Sequence, residues 1–562
     1  MNDRTLAGTG ATPRAGVGTV VWYRPDAELE EPPEDGVDED EELGRFAEAR
    51  SVAREELERE RERTAERVGD EEAAVFDAHV QFLDDPQIED GVEAAIEDGL
   101  PAEHAVERAF ADPIEQFEGM EGRMSERADD LRDVRDRLVR LLTDGERTDL
   151  STLPDGTVVL AERLTPSDTA QLDPERIAGF ATATGERTSH AAIFARSLAL
   201  PAVVGVGGEL NEIGDGTTVV VDGDDGEVVV NPDSERRAAT ADGREADVRH
   251  DPVATEDGTE IDVAANVGRP AELDAAKSQG ADGVGLFRTE FLFLDRDAPP
   301  IEDEQYEAIT EALAAFPDGR VVVRTLDVGG DKQIPYLDQP EEENPFLGER
   351  GIRRSLGPDE DPFETQLRAL LRAGAAEGGD LAVMFPLVAT VGELDAALER
   401  VESVAADLAD EGVEHAVPEL GVMIETPGAV FAAEELAERV DFLSIGTNDL
   451  AQYVMAAARE NGRVADLHDP LHPPVLRAIE TSVEAAHAND AWIGMCGEMA
   501  GNPNLTEVLV GLGLDELSMS AVTIPDVKAN VSKTTREAAR ALADRVLAAE
   551  TKETVTELVE EP

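Results

Sequence analysis

From Leu43 to about Leu142 apolar residues recur every three or four positions, the spacing of amphipathic helices. The segments are Arg45-Phe46-Ala47, Val52 to Val68, Glu71 to Leu83, Ile88 to Ile96, Ala102 to Phe117 and Ser125 to Leu142. Short Gly, Pro and Asp breaks between them predict a small antiparallel bundle. Within it, the charged stretch Arg54 to Arg67 reads by default as a solvated face. The flanks have a different period. Leu6 to Tyr23 alternates small and β-branched residues around Pro13, Gly16 and Gly18 and predicts one or two strands. Thr157-Val158-Val159-Leu160, Ile177 to Ala183, Ala202-Val203-Val204 and Thr218-Val219-Val220-Val221 predict more. The bundle therefore reads as an insertion into an α/β domain. That places the α/β domain at 1–24 and 145–232, the bundle at 25–144 and a charged linker helix at 233–255.

Beyond the linker, strand and helix patterns alternate eight times. The strands are Ile261–Ala265, Gly283–Phe287, Val321–Thr325, Leu381–Pro386, Gly421–Glu425, Phe442–Ile445, Ala491–Met495 and Leu517–Ser520, with helical patterns such as Phe363 to Ala376 and Gly392 to Ala409 between them. Eight βα units in 256–562 predict a (β/α)8 TIM barrel, whose chemistry gathers at the C-terminal ends of its strands. The fold class is multidomain α/β.

Charge changes the picture most. The 125 acidic and 49 basic residues give a net charge of −76. Five basic residues are lysine (Lys277, Lys332, Lys528, Lys533, Lys552) and the rest arginine. Acid spread along the whole chain, with lysine nearly absent, predicts adaptation to molar salt, where the Debye length falls to roughly 3 Å. The same charge argues against nucleic acid or anionic membranes as partners. The single Cys496 excludes internal disulfides, and Met1 to Gly16 holds no apolar core of a signal peptide, so the expected location is the cytoplasm.

Candidate chemistry falls at two places. Thr188-Ser189 can cap a helix continued by Ala191-Ala192-Ile193-Phe194-Ala195-Arg196, which puts His190 in its first turn. Backbone N–H groups and the helix dipole favour a phosphate there, and a neutral imidazole can attack phosphorus. A satisfied histidine beside a cap is the plainer reading, and this stretch alone leaves both open. The second place is the barrel. Arg288 and Glu290 follow strand two, Arg324 and Asp327 end strand three, Glu425 ends strand five, Asn448 and Asp449 follow strand six, and Cys496 ends strand seven. Each alone is an ordinary strand-end polar residue. Jointly they point to a doubly anionic, metal-bound substrate: guanidinium forks suit carboxylate and phosphate, and paired carboxylates suit Mg2+. Cys496 reads either as a tuned acid or as a small buried hydrophobe.

Arg187-Thr188-Ser189-His190, Ala195-Arg196-Ser197-Leu198 and Leu200-Pro201-Ala202-Val203-Val204-Gly205 resemble the phosphohistidine domain of the phosphoenolpyruvate-utilising enzymes, most closely the Enzyme I group of the sugar phosphotransferase system. Arg288-Thr289-Glu290-Phe291-Leu292-Phe293, Arg324 to Lys332, Glu343 to Arg350, Met423 to Pro427, Ser444 to Leu450, Gly494 to Glu498 and Leu517 to Ser520 extend the resemblance over nearly the whole chain. It implies a swivelling phosphohistidine domain with His190 phosphorylated and Thr169, Arg187 and Thr188 in support. It implies that Arg288, Arg324, Arg350, Asn448 and Arg459 bind phosphoenolpyruvate, that Glu425 and Asp449 hold Mg2+, and that Cys496 protonates the enolate. It implies pyruvate release, phosphoryl transfer to the histidine-containing phosphocarrier protein HPr docked on the inserted bundle, and a homodimer formed through the barrel. The sequence departs from the group's pattern at Glu186, where a second glycine is usual, at Glu349, where an aromatic is usual, and at Ala458, where Asp is usual. A dikinase or phosphoenolpyruvate synthase would add a nucleotide-binding domain, for which the residues before His190 leave no room. A phosphorylation-state sensor without turnover is the non-enzymatic alternative.

The charge pattern generates a first prediction. At about 0.01 M salt the Debye length is roughly 30 Å, so acidic repulsion acts across whole domains. The melting temperature should fall clearly between molar and millimolar KCl; an unchanged value would refute the salt-adaptation reading.

Overall fold

The computed structural model describes residues 4–12, 14–24, 29, 32, 37–67, 70–118, 123–143, 150–174, 176–185, 190–198, 200–223, 225–233, 236–237, 240, 248–294, 296, 298–329, 334, 336–337, 339, 342, 344–458, 464 and 467–560. Glu186, Arg187, Thr188, Arg459 and much of the expected linker helix at 233–255 lie outside them. The chain forms two compact units, Met1–Arg244 and Glu245–Pro562.

The first unit is built on an eight-stranded mixed sheet. Its spatial order is Arg4–Ala7, Glu227–Val230, Thr218–Asp222, Ala15–Tyr23, Thr157–Ala161, Ile177–Thr182, Ala202–Val204 and Thr9–Gly10. The four strands from Ala15–Tyr23 to Ala202–Val204 run parallel, and the outer strands add antiparallel. The Val-rich composition follows from burial: Val158, Val159, Val203, Val219, Val220 and Val221 are all inaccessible. Ala15–Tyr23 and Thr157–Ala161 pair directly, and all the bundle helices lie between them in sequence. These are Glu39–Arg67, Asp70–Leu83, Pro86–Glu97, Ala102–Glu118 and Arg123–Leu142.

The first helix is one continuous element where the apolar pattern suggested a break after Ala47. Phe46, Ala49, Ala53 and Leu57 form a single buried stripe, and Glu39 to Glu42 favour the positive end of its dipole. Part of the charged stretch expected to face solvent is instead used between helices. Glu56 and Glu60 accept from Arg137 at 2.8 and 2.5 Å, and Arg61 Nε donates to Asp77 at 2.8 Å. The bundle core also takes in Ala170 and Phe194 from the α/β part, so the insertion shares a hydrophobic cluster with its host.

The second unit is a closed barrel of eight parallel strands: Glu260–Val267, Val284–Arg288, Arg320–Arg324, Asp380–Phe385, Glu419–Ile424, Phe442–Ile445, Trp492–Met495 and Glu516–Met519. The first strand closes the ring by pairing with both the second and the eighth. Val253–Ala254 adds antiparallel to it outside the ring. Boundaries move by a residue or two from those read off the sequence. Among the described residues no helix is long and apolar enough to cross a membrane.

The N-terminal mouth of the barrel is filled by Arg320. Its guanidinium lies 4.0 Å from the Trp492 ring centre, which stacks on Phe442, and reaches Asp262 at 3.3 Å and Glu516 at 3.6 Å. Burial pushes the Glu516 carboxyl up to about 7, with Arg320 opposing. A carboxyl raised in the folded state stabilises fully below its unfolded value and loses that contribution as pH rises through 7. In molar KCl, Glu516→Gln should therefore gain stability over the parent as pH goes from 5 to 8, by at most about 3 kcal/mol. A parent–variant difference flat with pH would refute this.

Candidate active site

In the first unit His190 opens the helix His190–Ser197. Ala191, Ala192, Phe194 and Ala195 bury the inner face of that helix, which fixes its direction. The backbone thus matches the expected helix start; the side chain of His190 is not among the described ones. The neighbouring short helix Pro166–Thr169 packs against it and is closed by a capping box, Thr165 Oγ1 accepting from Asp168 N while Asp168 Oδ2 accepts from Thr165 N. Thr169 Oγ1 donates within its own turn, to the carbonyls of Thr165 and Pro166 at 3.0 Å each.

The bundle and the strand Ala15–Tyr23 hold this turn in place. Asp133 accepts from Ser167 N at 3.2 Å, Arg137 donates to Ser167 Oγ at 2.8 Å, and Tyr23 OH donates to Asp168 at 2.5 Å. His79, inaccessible to solvent, lies 3.2 Å from Asp130 and 3.6 Å from Asp133. None of these was a candidate from sequence, because contacts between segments far apart in the chain leave no local spacing.

The barrel brings together most of the residues predicted for it. Arg324 Nη2 donates to Glu290 Oε1 at 2.5 Å and Nη1 lies 3.1 Å from Asp327 Oδ2. Asp327 also receives Arg350, at 3.3 and 3.2 Å through its two oxygens, and Arg350 Nη2 continues to Asp449 Oδ2 at 2.7 Å. Glu425 Oε1 accepts from Leu387 N at 2.6 Å. Two arginines and four carboxylates thus share one buried cluster at the C-terminal ends of the strands. Asp327, which the sequence placed in the strand-end set without a role of its own, joins both arginines. Gln366 was missed altogether: from the helix Glu360–Ala373 it accepts from Leu326 N at 2.8 Å and donates to Thr289 Oγ1, itself bonded to Arg324 O.

Glycines permit two of these approaches. Gly329 has φ +139°, and a Cβ there would lie 2.4 Å from Glu349 O and 2.8 Å from Arg350 Cα. A Cβ on Gly497 would lie 1.8 Å from Thr447 Oγ1, so the loop after strand seven can press onto the helix Thr447–Met455 that carries Asn448 and Asp449. Arg288 and Asn448 are half-buried beside the cluster. Arg288 lies over Phe291, and Asn448 donates to Glu498 at 3.4 Å. At Glu349, an unusual residue for this pattern, the carboxylate is 3.7 Å from Arg354.

Electrostatics follow from burial and mutual proximity. Burial pushes the Arg324 and Arg350 guanidinium groups down, but the surrounding carboxylates more than reverse this and leave both above the ordinary arginine value. Burial, then Asp449 and Asp327, pushes Glu425 up to about 8. Cys496 is pushed up to about 11 by burial, so its thiol keeps its proton at neutral pH. Its backbone is fixed on both sides: Cys496 N donates to Ile445 O at 3.1 Å and Asn266 Nδ2 donates to Cys496 O at 3.0 Å.

The donor set fits a hard divalent cation. Glu425 and Asp449 are close enough to repel, and among the described residues Asp449 Oδ1 is buried without a hydrogen-bond partner. Among the described residues no three His, Cys, Asp or Glu side chains form a complete metal cage. Two carboxylates with the remaining positions left to substrate oxygens and water is the usual Mg2+ arrangement.

Three family patterns match the chain: PEP-utilising enzyme, N-terminal, at residues 7–127; the mobile domain at 153–226; and the PEP-binding domain at 242–536. A phosphoenolpyruvate-protein phosphotransferase of Haloferax volcanii is 68% identical over 561 residues, covering 100% of this chain and 99% of its own. The chain belongs to the PEP-utilising enzymes. A second relative of the same name, from Geobacillus stearothermophilus, is 42% identical over 574 residues, with 100% and 98% of the two chains covered. A solution structure of Enzyme I is 37% identical over 42% of this chain and 97% of that one, with a TM-score of 0.36.

For this PEP-utilising enzyme the shared carboxylate generates a prediction. Asp327→Ala leaves two buried guanidinium groups short of a partner and should destabilise the barrel by about 3–5 kcal/mol. It also removes a like charge facing Glu425, whose carboxyl should titrate lower than about 8. Denaturant unfolding and a carboxyl-labelled NMR titration read the two effects; unchanged stability would show that Asp327 is not shared.

Proposed function

We propose that this chain is a phosphoenolpyruvate-protein phosphotransferase, moving the phosphoryl group of phosphoenolpyruvate to His190 and then to a histidine of the phosphocarrier protein HPr, with release of pyruvate. The observation that carries the reading is the buried barrel cluster, two arginines bridged by Asp327 beside two carboxylates, with the buried thiol of Cys496 at the end of strand seven, in a chain whose named relatives match it end to end. Arg288, Arg324, Arg350, Asn448 and, outside the described residues, Arg459 take the substrate's carboxylate and phosphate; guanidinium forks match both groups.

Glu425 and Asp449 would hold Mg2+, which when bound supplies Lewis-acid neutralisation of the phosphate. Arg324 and Arg350, held by carboxylates before substrate arrives, need little reorganisation as charge shifts during transfer. His190 is the nucleophile, with Thr169, Arg187 and Thr188 in support. The reaction breaks the P–O bond of phosphoenolpyruvate and forms a P–N bond. It leaves the enolate of pyruvate, whose C3 takes the proton of Cys496. The histidine and the barrel residues belong to separate compact units, and in this reading a swivelling phosphohistidine domain carries His190 between phosphoenolpyruvate and the carrier protein.

The domain assignment proposed is a phosphohistidine domain at 1–24 and 145–232, a carrier-binding bundle at 25–144, a linker at 233–255 and the barrel at 256–562. A homodimer through the barrel and a cytoplasmic location complete the reading.

The test is incubation with 32P-labelled phosphoenolpyruvate and Mg2+ in molar salt. An acid-labile, base-stable label should form, pass to added carrier protein, and be absent in His190→Ala while that variant still binds phosphoenolpyruvate. Label from ATP, or acid-labile label persisting in His190→Ala, would sink the assignment.

A further inference from the structure

Strand Phe442–Ile445 alternates its side chains between the two faces of the barrel wall. Leu443 and Ile445 join the outer core, while Phe442 joins the cluster that holds Cys496 inside. Ser444 shares the inner face and is 2% exposed. Its hydroxyl donates to Cys496 Sγ at 3.5 Å, and among the described residues it makes no other side-chain hydrogen bond. The thiol itself points elsewhere, toward the carbonyl of Ile445 at 3.7 Å. Leu286, Val322, Ala382, Met384, Met423 and Phe442 pack with Cys496, and among the described residues the Ser444 hydroxyl is spent on the sulfur.

We propose that Ser444 is the positioning residue for the acid: its hydroxyl holds Sγ and stabilises the thiolate formed when Cys496 gives up its proton. The proposal rests on the reading of Cys496 as the proton donor. In that step the S–H bond breaks and a C–H bond forms at C3 of the enolate, using the enolate's electron pair, and the negative charge moves to sulfur. Water returns the proton to sulfur once product has left. The thiol needs no donor while neutral, but a thiolate at this buried position does. A hydrogen bond to an ionised acceptor is about twice as strong as one to a neutral group. The Ser444 bond is thus worth more after proton transfer than before, which is the condition for lowering a barrier.

Other charged groups face the sulfur from three strands. Arg324 also favours the thiolate, while Glu425 and Glu516 oppose it. Arg324 and Glu425 belong to the buried arginine–carboxylate cluster, bonded to Glu290 and to Leu387 N, and Glu516 pairs with Arg320. Among the described residues the Ser444 hydroxyl is bonded to Cys496 alone, which makes its contribution separable.

The experiment uses the full-length protein in molar KCl with Mg2+, pyruvate and D2O, and follows deuterium entry into the pyruvate methyl group by NMR. Ser444→Ala should slow exchange by about tenfold to a hundredfold with pyruvate affinity unchanged. Ser444→Thr, which keeps the hydroxyl, should exchange near the parental rate, and Ser444→Val, the same shape without it, should be slow. Because Cys496 is the only cysteine, the pH dependence of its alkylation by iodoacetamide reports its ionisation directly. The midpoint should move to higher pH in Ser444→Ala and Ser444→Val and stay in place in Ser444→Thr. Equal slowing in Thr and Val would assign the effect to packing and overturn the proposal, as would parental exchange in Ser444→Ala while Cys496→Ala is inactive. Parental exchange in Cys496→Ala would instead remove Cys496 as the acid, a separate failure.

Discussion

The barrel depends on the sharing of Asp327 between Arg324 and Arg350. Each guanidinium would be costly to bury alone, and Asp327 holds both while Glu290 and Asp449 satisfy their far sides. The arrangement joins the end of strand three to the 344–351 segment and, through Asp449, to the helix after strand six. It leaves Glu425 facing the like charges of Asp449 and Asp327 and, among the described residues, Asp449 Oδ1 without a hydrogen-bond partner. The proposed cation and anionic substrate would relieve that imbalance. A barrel built for stability alone would pair its charges or replace them with apolar side chains.

The same economy appears at the opposite mouth, where Arg320 sits between Trp492, Asp262 and Glu516. One end of the barrel is thus closed by a stacked, paired arginine and the other is left with charge to receive a ligand. Conservation of architecture with change of chemistry at the C-terminal end is the general habit of this barrel.

In the first unit the inserted bundle is more than an appendage. Asp133 and Arg137 reach Ser167, and Phe194 from the His190 helix completes the bundle core. A displacement of the helix Arg123–Leu142 would therefore be felt at the turn carrying Thr169. Arginine is used throughout this chain for such links, while lysine is nearly absent. Lys528 is the fully buried exception, held by Asp282 at 2.6 Å and by the carbonyls of Arg249 and Asp251.

Element type and order were legible in the sequence because period and turn residues are local properties. The eight barrel strands, the bundle and the helix start at His190 all emerge from them. The positions of Arg288, Arg324, Glu425, Asp449 and Cys496 at strand ends were legible too, since a strand's end is set by its own residues. The first helix was read as two because the polar residues between Phe46 and Leu57 hide a stripe that burial reveals. Only the tertiary structure decided that Asp327 serves two arginines, that Gln366 supports Thr289, that Ser444 faces Cys496 and that Glu516 lies inside the barrel. Arg350 and Asp449 meet across 99 residues of chain. Strands of a closed parallel barrel are apolar on both faces, so their pattern does not say which side chains point inward. Pairing across such distances is set by strand register and barrel closure, and neither leaves a spacing to read.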